Sequence, residues 1–344
     1  MITSAAIQSF NVLPQPLPVP DVPRGHPAYP LDVWDLIDFK RCGRRWLHAP
    51  APTLNPKVGF SEMLRLLSLG TPEALATYAH RPKDFTFTRL ECPSCGSISP
   101  AKVCRACGQA RVSITDTRQW NGNSKYCTAW HAEQVAHARR IVADEIWEHA
   151  AAARTVLAAD PAAAQLADGA STQQHLTGLW HDDATGLDIP LRTVLSAAPD
   201  PTGPYGKCLA TLMIAADSSR AAWDRPAIER GNHIAAAFKH ALHTAATGQT
   251  RHTHCWVIVE KFAPHLVSRR STTPELLSAG LTLMTDLLAE YAACLASGLW
   301  STFDSDSLDP SEAFTPIAFQ PWMANPPGAA AAGCYPFIPE VVEA

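Results

Sequence analysis

From Ser301 to its end the chain contains no lysine or arginine, while Asp304, Asp306, Asp309, Glu312, Glu340 and Glu343 lie scattered among Pro and Ala. That composition predicts a poorly structured or docking tail over 304–344. Charge is scarce throughout: 17% of residues are charged and the formal net charge is −4, so the molecule as a whole does not attract polyanions. Any basic surface must be local. No apolar run approaches the roughly 18 residues that span a bilayer, so no membrane partner is expected. The opening MITSAAIQSFNVLPQPLPVP lacks the basic and apolar regions of a secretory leader. These absences predict a cytoplasmic, reducing setting, in which the ten cysteines are thiols and metal ligands rather than disulfides.

The most specific motif present is ECPSCGSISPAKVCRACG, at 91–108. Its two C-x-x-C pairs, Cys92/Cys95 and Cys104/Cys107, each end on a Gly, and the spacing lets each pair form a knuckle facing one ion. Four thiolates complete a closed tetrahedral zinc site with no open position, so the metal is read as structural. A redox role would need a thioredoxin-like βαβ context, which is not evident.

The centre of the chain reads strand, turn, strand, helix. Residues 187–196 and 207–215 are apolar runs rich in Val, Leu, Ile and Thr, parted by PDPTGP. Residues 231–246 follow with Ile234, Ala237, Phe238 and Leu242 at helical spacing. A short amphipathic helix is expected after Tyr29, ending in the basic cluster Lys40, Arg41, Arg44 and Arg45. One or two helices are expected over 59–77, a strand–turn–strand over 253–270 and a long helix over 276–299.

This order resembles the phage recombination exonucleases of the exonuclease VIII type, within the PD-(D/E)xK nuclease superfamily. Their first core strand reads K-x-R-x-D; here Pro190 stands at the Lys, Arg192 is kept and Val194 stands at the metal-binding Asp. Their second reads D-x-K-T; here Thr211 replaces the acid and Met213 the catalytic Lys. Of the helix pattern Y-H-x-Q-A-x-x-Y, His233 is kept and the Gln is lost. Met63 falls at the His of a G-x-A-x-H helix, Lys125 and Trp130 at the Lys and aromatic of R-T-x-x-G-K-x-x-W, and Glu260 and Pro264 in F-x-x-x-E-x-x-x-P-Y. The motif SGLW at 297–300 matches the closing S-G-x-W.

The resemblance implies an α/β fold: a nuclease-like central mixed sheet flanked by helices, plus a small zinc ribbon. It divides the chain into an extended arm (1–28), a helical part (29–85), the ribbon insertion (86–113), the α/β core (114–303) and the tail. Val, Thr and Met cannot hold Mg²⁺ as carboxylates do, so Mg²⁺ is not expected and the site is read as dead. What the resemblance then implies is a catalytically inactive, nuclease-derived protein binding nucleic acid, DNA ahead of RNA, or partner proteins in a phage, mobile-element or defence complex. Arg41, Arg44, Arg45, Lys125 and Arg192 would contact phosphates. The relatives form rings, which carries the expectation of a homo-oligomer. Two other readings stay open: an active exonuclease with relocated carboxylates (Asp188, Asp200, Asp217, Glu260), and a zinc-ribbon adaptor for protein contacts.

Overall fold

Strand β1 (Ile7–Leu13) opens the computed structural model, which describes that strand's backbone together with residues 22–49 and 57–300. Then come α1 (Val33–Arg41), α2 (Gly43–His48), α3 (Phe60–Leu69), α4 (Pro72–Ala76), β2 (Tyr78–His80), β3 (Asp84–Glu91) and β4 (Val112–Gln119). After these come α5 (Lys125–Ala136), β5 (Arg140–Val142), α6 (Asp144–Ala159), α7 (Pro161–Ala167), β6 (Ser171–Asp182), β7 (Leu187–Ala198) and β8 (Cys208–Ala215). The last described elements are α8 (Arg220–Glu229), α9 (Asn232–Thr247), β9 (Thr253–Glu260), β10 (Val267–Ser271) and α10 (Pro274–Ser297). The expected tail at 304–344 lies outside the described residues.

Six strands form one sheet in the order β1-β6-β7-β8-β9-β10. All neighbours run antiparallel except β8 and β9, which are parallel and joined through α8 and α9. The sheet is thus mixed, with helices on both faces. On one face Leu176, Ile189, Leu191, Leu195 and Leu209 pack against α1, α9 and α10 through Leu36, Phe39, Ile234, Phe238, Leu288 and Tyr291. On the other, Ala210, Leu212, Val257 and Val259 meet Phe60, Met63, Leu64, Ala150 and Leu166 from α3, α6 and α7. Met63 is therefore core.

Strands β1 and β6, on one side of the sheet, were not expected from sequence. Residues 1–28 read as an arm because Pro is dense after Leu13, yet Ile7–Leu13 pairs along β6. Strand β6 carries mostly polar residues, but Leu176, Gly178 and Trp180 alternate into the core, a period of two that marks a half-buried strand. The expectation about apolar runs also needs correction. Helix α10 is, by length and composition alone, long and apolar enough to cross a membrane. Its Gly280, Met284, Leu288 and Tyr291 are buried, and a Cβ on Gly280 would lie 2.3 Å from the carbonyl of His233 in α9. The two helices touch backbone to backbone there.

Candidate functional site

Strand β7 pairs with β6 over most of its length but with β8 only at Ala197↔Ala210, after which the two strands part. Into the gap comes the chain ahead of α1. Leu31 bridges Leu191 in parallel, its N–H donating to the Pro190 carbonyl (2.8 Å) and its carbonyl accepting from Arg192 (2.9 Å). In a strand the N–H and C=O of one residue point the same way, so the N–H that Pro190 lacks would face this gap, where no ladder continues. Asp32 then caps α1, accepting from the Trp34 N–H at 3.0 Å. Asp35 behind it accepts from Tyr29, Trp46 and Arg24, which anchors the segment.

The residues in the expected catalytic slots do not share an environment. Val194 lies opposite His175 of β6 and is 39% exposed. Met213 packs with Trp223, Ala236, Trp256 and Ile258. Thr211 alone is in a polar setting: its Oγ1 accepts from Lys239 Nζ of α9 at 3.0 Å and lies 2.9 Å from His254 Nε2 of β9. Burial holds the Lys239 ammonium down to about 8; Asp32 opposes that shift and Arg65 adds to it. Burial likewise pushes His254 well below the usual imidazole range, with His240 and Lys239 pushing the same way. Asp32 is raised by its own burial, and Lys239 and Arg192 pull it back. Arg192 therefore lies near Asp32, while Glu260 accepts from the backbone N–H and hydroxyl of Ser218.

The fork thus holds a buried cation, Lys239, against Thr211, one of the three expected slots. Lys239, Asp32 and His254 were not singled out in the sequence. Lys239 stands at the last position of the Y-H-x-Q-A-x-x-Y pattern begun at Asn232, and it lies inside the apolar arc formed by Ala235, Phe238 and Leu242. A charge in such an arc is the signal that would have found it.

The four carboxylates of the relocated-site reading are each engaged, Asp217 and Glu260 on adjacent residues of one turn. Asp188 pairs with His181 at 2.8 Å, Asp200 caps a turn at Thr202, Asp217 accepts from the Ser219 N–H and Glu260 is on Ser218. Among the described residues, two groups of three or more potential ligands converge, and neither includes these acids. One is His80, Asp144 and Glu148, in which His80 Nε2 lies 2.8 Å from the Asp144 carboxylate.

The other is Cys92, Cys95, Cys104 and Cys107, a set able to hold a metal ion. Strands β3 and β4 pair over eight positions and carry it at their far end. Each knuckle repeats one geometry. The Gly96 N–H donates to the Cys92 carbonyl and that of Gly108 to the Cys104 carbonyl, both at 2.9 Å, with both glycines left-handed (φ +69° and +68°). Sulfur pairs lie 3.2 Å (92/107), 3.6 Å (95/104) and 3.9 Å (95/107) apart; a tetrahedron of thiolates around one ion has edges of about 3.8 Å. The Ser97 hydroxyl and the backbone N–H groups of Cys107 and Ala106 draw Cys104 down to about 5, toward the ligating thiolate. The backbone N–H of Cys95 acts likewise on Cys92.

The five expected phosphate contacts fall in three places. Arg41, Arg44 and Arg45 are exposed on α1 and α2, Arg41 with Asp38 at 3.2 Å. Lys125 is exposed at the start of α5, which packs on β5, and its Nζ lies 5.2 Å from the Tyr126 ring. Arg192 is at the fork.

No family model matches the chain, and no curated protein does. Among solved structures it is similar to a protein of Eubacterium rectale, named there as an exonuclease candidate, with 11% identity over 54% of this chain and 67% of that one and a TM-score of 0.34. A superposition this loose carries no weight for fold or activity.

Proposed function

We propose that the chain is a nuclease-derived protein that binds nucleic acid, DNA ahead of RNA, without cutting it, and that its ribbon holds structural zinc. The observation that carries this reading is the buried ammonium of Lys239 on Thr211. A divalent cation cannot settle beside a buried positive charge without carboxylates to offset it. The carboxylate at the fork, Asp32, is committed to capping α1 and faces Lys239 and Arg192, and the acids of the relocated-site reading are engaged elsewhere. The sequence marks described above supply the nuclease ancestry, and the strand fork is where such a site would open. Four cysteines with no open position suit zinc. Membership of a phage, mobile-element or defence complex, protein partners and a ring-like homo-oligomer rest on the resemblance alone.

The test incubates the full chain with labelled linear duplex and single-stranded DNA, with Mg²⁺ and with Mn²⁺, and measures binding by anisotropy in parallel. Binding that weakens steeply with salt, without degradation, is expected. Metal-dependent degradation that Asp217→Lys or Glu260→Lys abolishes would replace this reading with the relocated-carboxylate one. Absence of binding to DNA and RNA would leave the protein-contact adaptor.

A further inference from the structure

Away from the fork, α5, β5, the start of α6 and the ribbon stem enclose a cleft of about 970 Å³. Its floor is apolar, from Val58, Ile141 and Ile146, and its rim carries Lys57, Arg81, His131, Arg139 and Arg140 with Trp120. The Trp120 N–H donates to the Lys83 carbonyl (2.8 Å), which fixes this residue where β4 leaves the ribbon. The Arg81 guanidinium lies 6.0 Å from the Trp120 ring, and Trp130 meets that ring edge-on at 5.1 Å. Two acids reach the rim. Glu62 holds Arg140, and Glu145 lies 3.5 Å from Arg81 but is itself 77% exposed. Arg139 is exposed and donates to Gln134 at 3.1 Å. With Arg139 on a neutral amide and Arg81 beside an exposed carboxylate, the rim offers positive charge in a molecule of net charge −4.

We infer that this cleft binds a single-stranded nucleic-acid segment, with a base against Trp120 and phosphates on Arg81 and Arg139. The inference rests on the nucleic-acid reading above and adds the strand form and the place. An aromatic ring set among cations takes bases by their faces and the backbone by its charge, whatever the sequence. The bases of a duplex are stacked inside it and cannot enter such a cleft unless they are flipped out. The volume is at the upper end of ordinary ligand sites, which suits more than one nucleotide. None of the five cations expected from sequence lies on this rim; the reader of the sequence is misled because Arg81, Trp120 and Arg139 stand far apart along the chain and converge only when β2 and β5 pair.

The test is anisotropy on the full chain with labelled oligothymidylate, its RNA counterpart and a duplex of equal length. Single strands are expected to bind more tightly than duplex. The double variant Arg81→Glu/Arg139→Glu should weaken single-strand binding about tenfold or more, and Trp120→Ala about fivefold or more. Arg220→Glu/Arg225→Glu on α8, two exposed positions to which no binding role is given, should leave single-strand binding unchanged. Thermal midpoints close to wild type establish that the variants fold, and the double variant at surface positions covers a failure of Trp120→Ala to do so. If wild type binds single strands and the cleft variants bind equally well, the cleft is wrong and the nucleic-acid reading stands. If wild type binds duplex but no single strand, the strand form is wrong. If it binds neither, both readings fail together.

Discussion

Lys239 donates to Thr211 from inside the core, and its ionisation ties the fork to stability. In the unfolded chain its ammonium has the ordinary value of 10.5; in the folded protein it is held down to about 8. As pH falls through that interval the unfolded chain gains a proton that the folded one does not, so stability is lost and the loss is complete below about 8. At neutral pH this amounts to about 3 kcal/mol. Lys239→Met, which keeps the length and removes the charge, is therefore expected to unfold at higher urea than wild type near pH 7. That advantage should shrink toward pH 10, as read from denaturation midpoints. An equal gain at both pH values would mean the charge is not the cause. The slots Val194, Thr211 and Met213 were numbered from the resemblance, by laying its strand motifs on this chain. Their separation could not be read that way, since it depends on a fork that opens after one residue pair.

Among the elements, the ribbon was the most legible. Two C-x-x-C-G units state both the ligands and the left-handed turns that present them, and the structure brings the four sulfurs together. Strands β3 and β4 pair only with each other among the described residues, and a lone two-stranded hairpin is marginal in water. Bound zinc would contribute on the order of 10 kcal/mol to local folding. Chelation, or Cys104→Ser, should thus erase amide protection in β3 and β4 while β7 and β9 keep theirs, with metal analysis falling from one zinc per chain. Zinc-free protein with a protected ribbon would refute this. Strand β6 and the β2–β5 pair were the opposite case. A polar twelve-residue strand and two three-residue strands carry too little apolar signal to stand out before their partners are known.

At the scale of the molecule, α9 and β9 together bury four histidines, His233, His240 and His243 on the helix and His254 on the strand. Burial pushes all four below the ordinary 6.5, and His240 reaches about 4, its Nδ1 engaged with the Arg251 carbonyl, which opposes the shift, and its neighbours His243, His252 and Arg251 adding to it. Such groups support the fold fully above 6.5. As pH falls through the interval down to about 4 the unfolded chain protonates first and stability is lost, about 3 kcal/mol for His240 alone. Urea midpoints are expected to drop across that window, and His240→Gln should flatten the drop. A midpoint unchanged from neutral pH down to about 4 would show that these rings are already charged or exposed.

The single bridge between β7 and β8 also makes the sheet mechanically two objects. One half is β1, β6 and β7, the other β8, β9 and β10, and each is laced by continuous ladders, while one residue pair stitches them at Ala197 and Ala210. Helix α9 rests on both, through Ile234 and Phe238 on one side and Ala236 against Trp256 on the other. Strain across the strands would gather at that seam, with α9 as the strap that keeps it closed, and the seam lies beside Thr211 and Lys239.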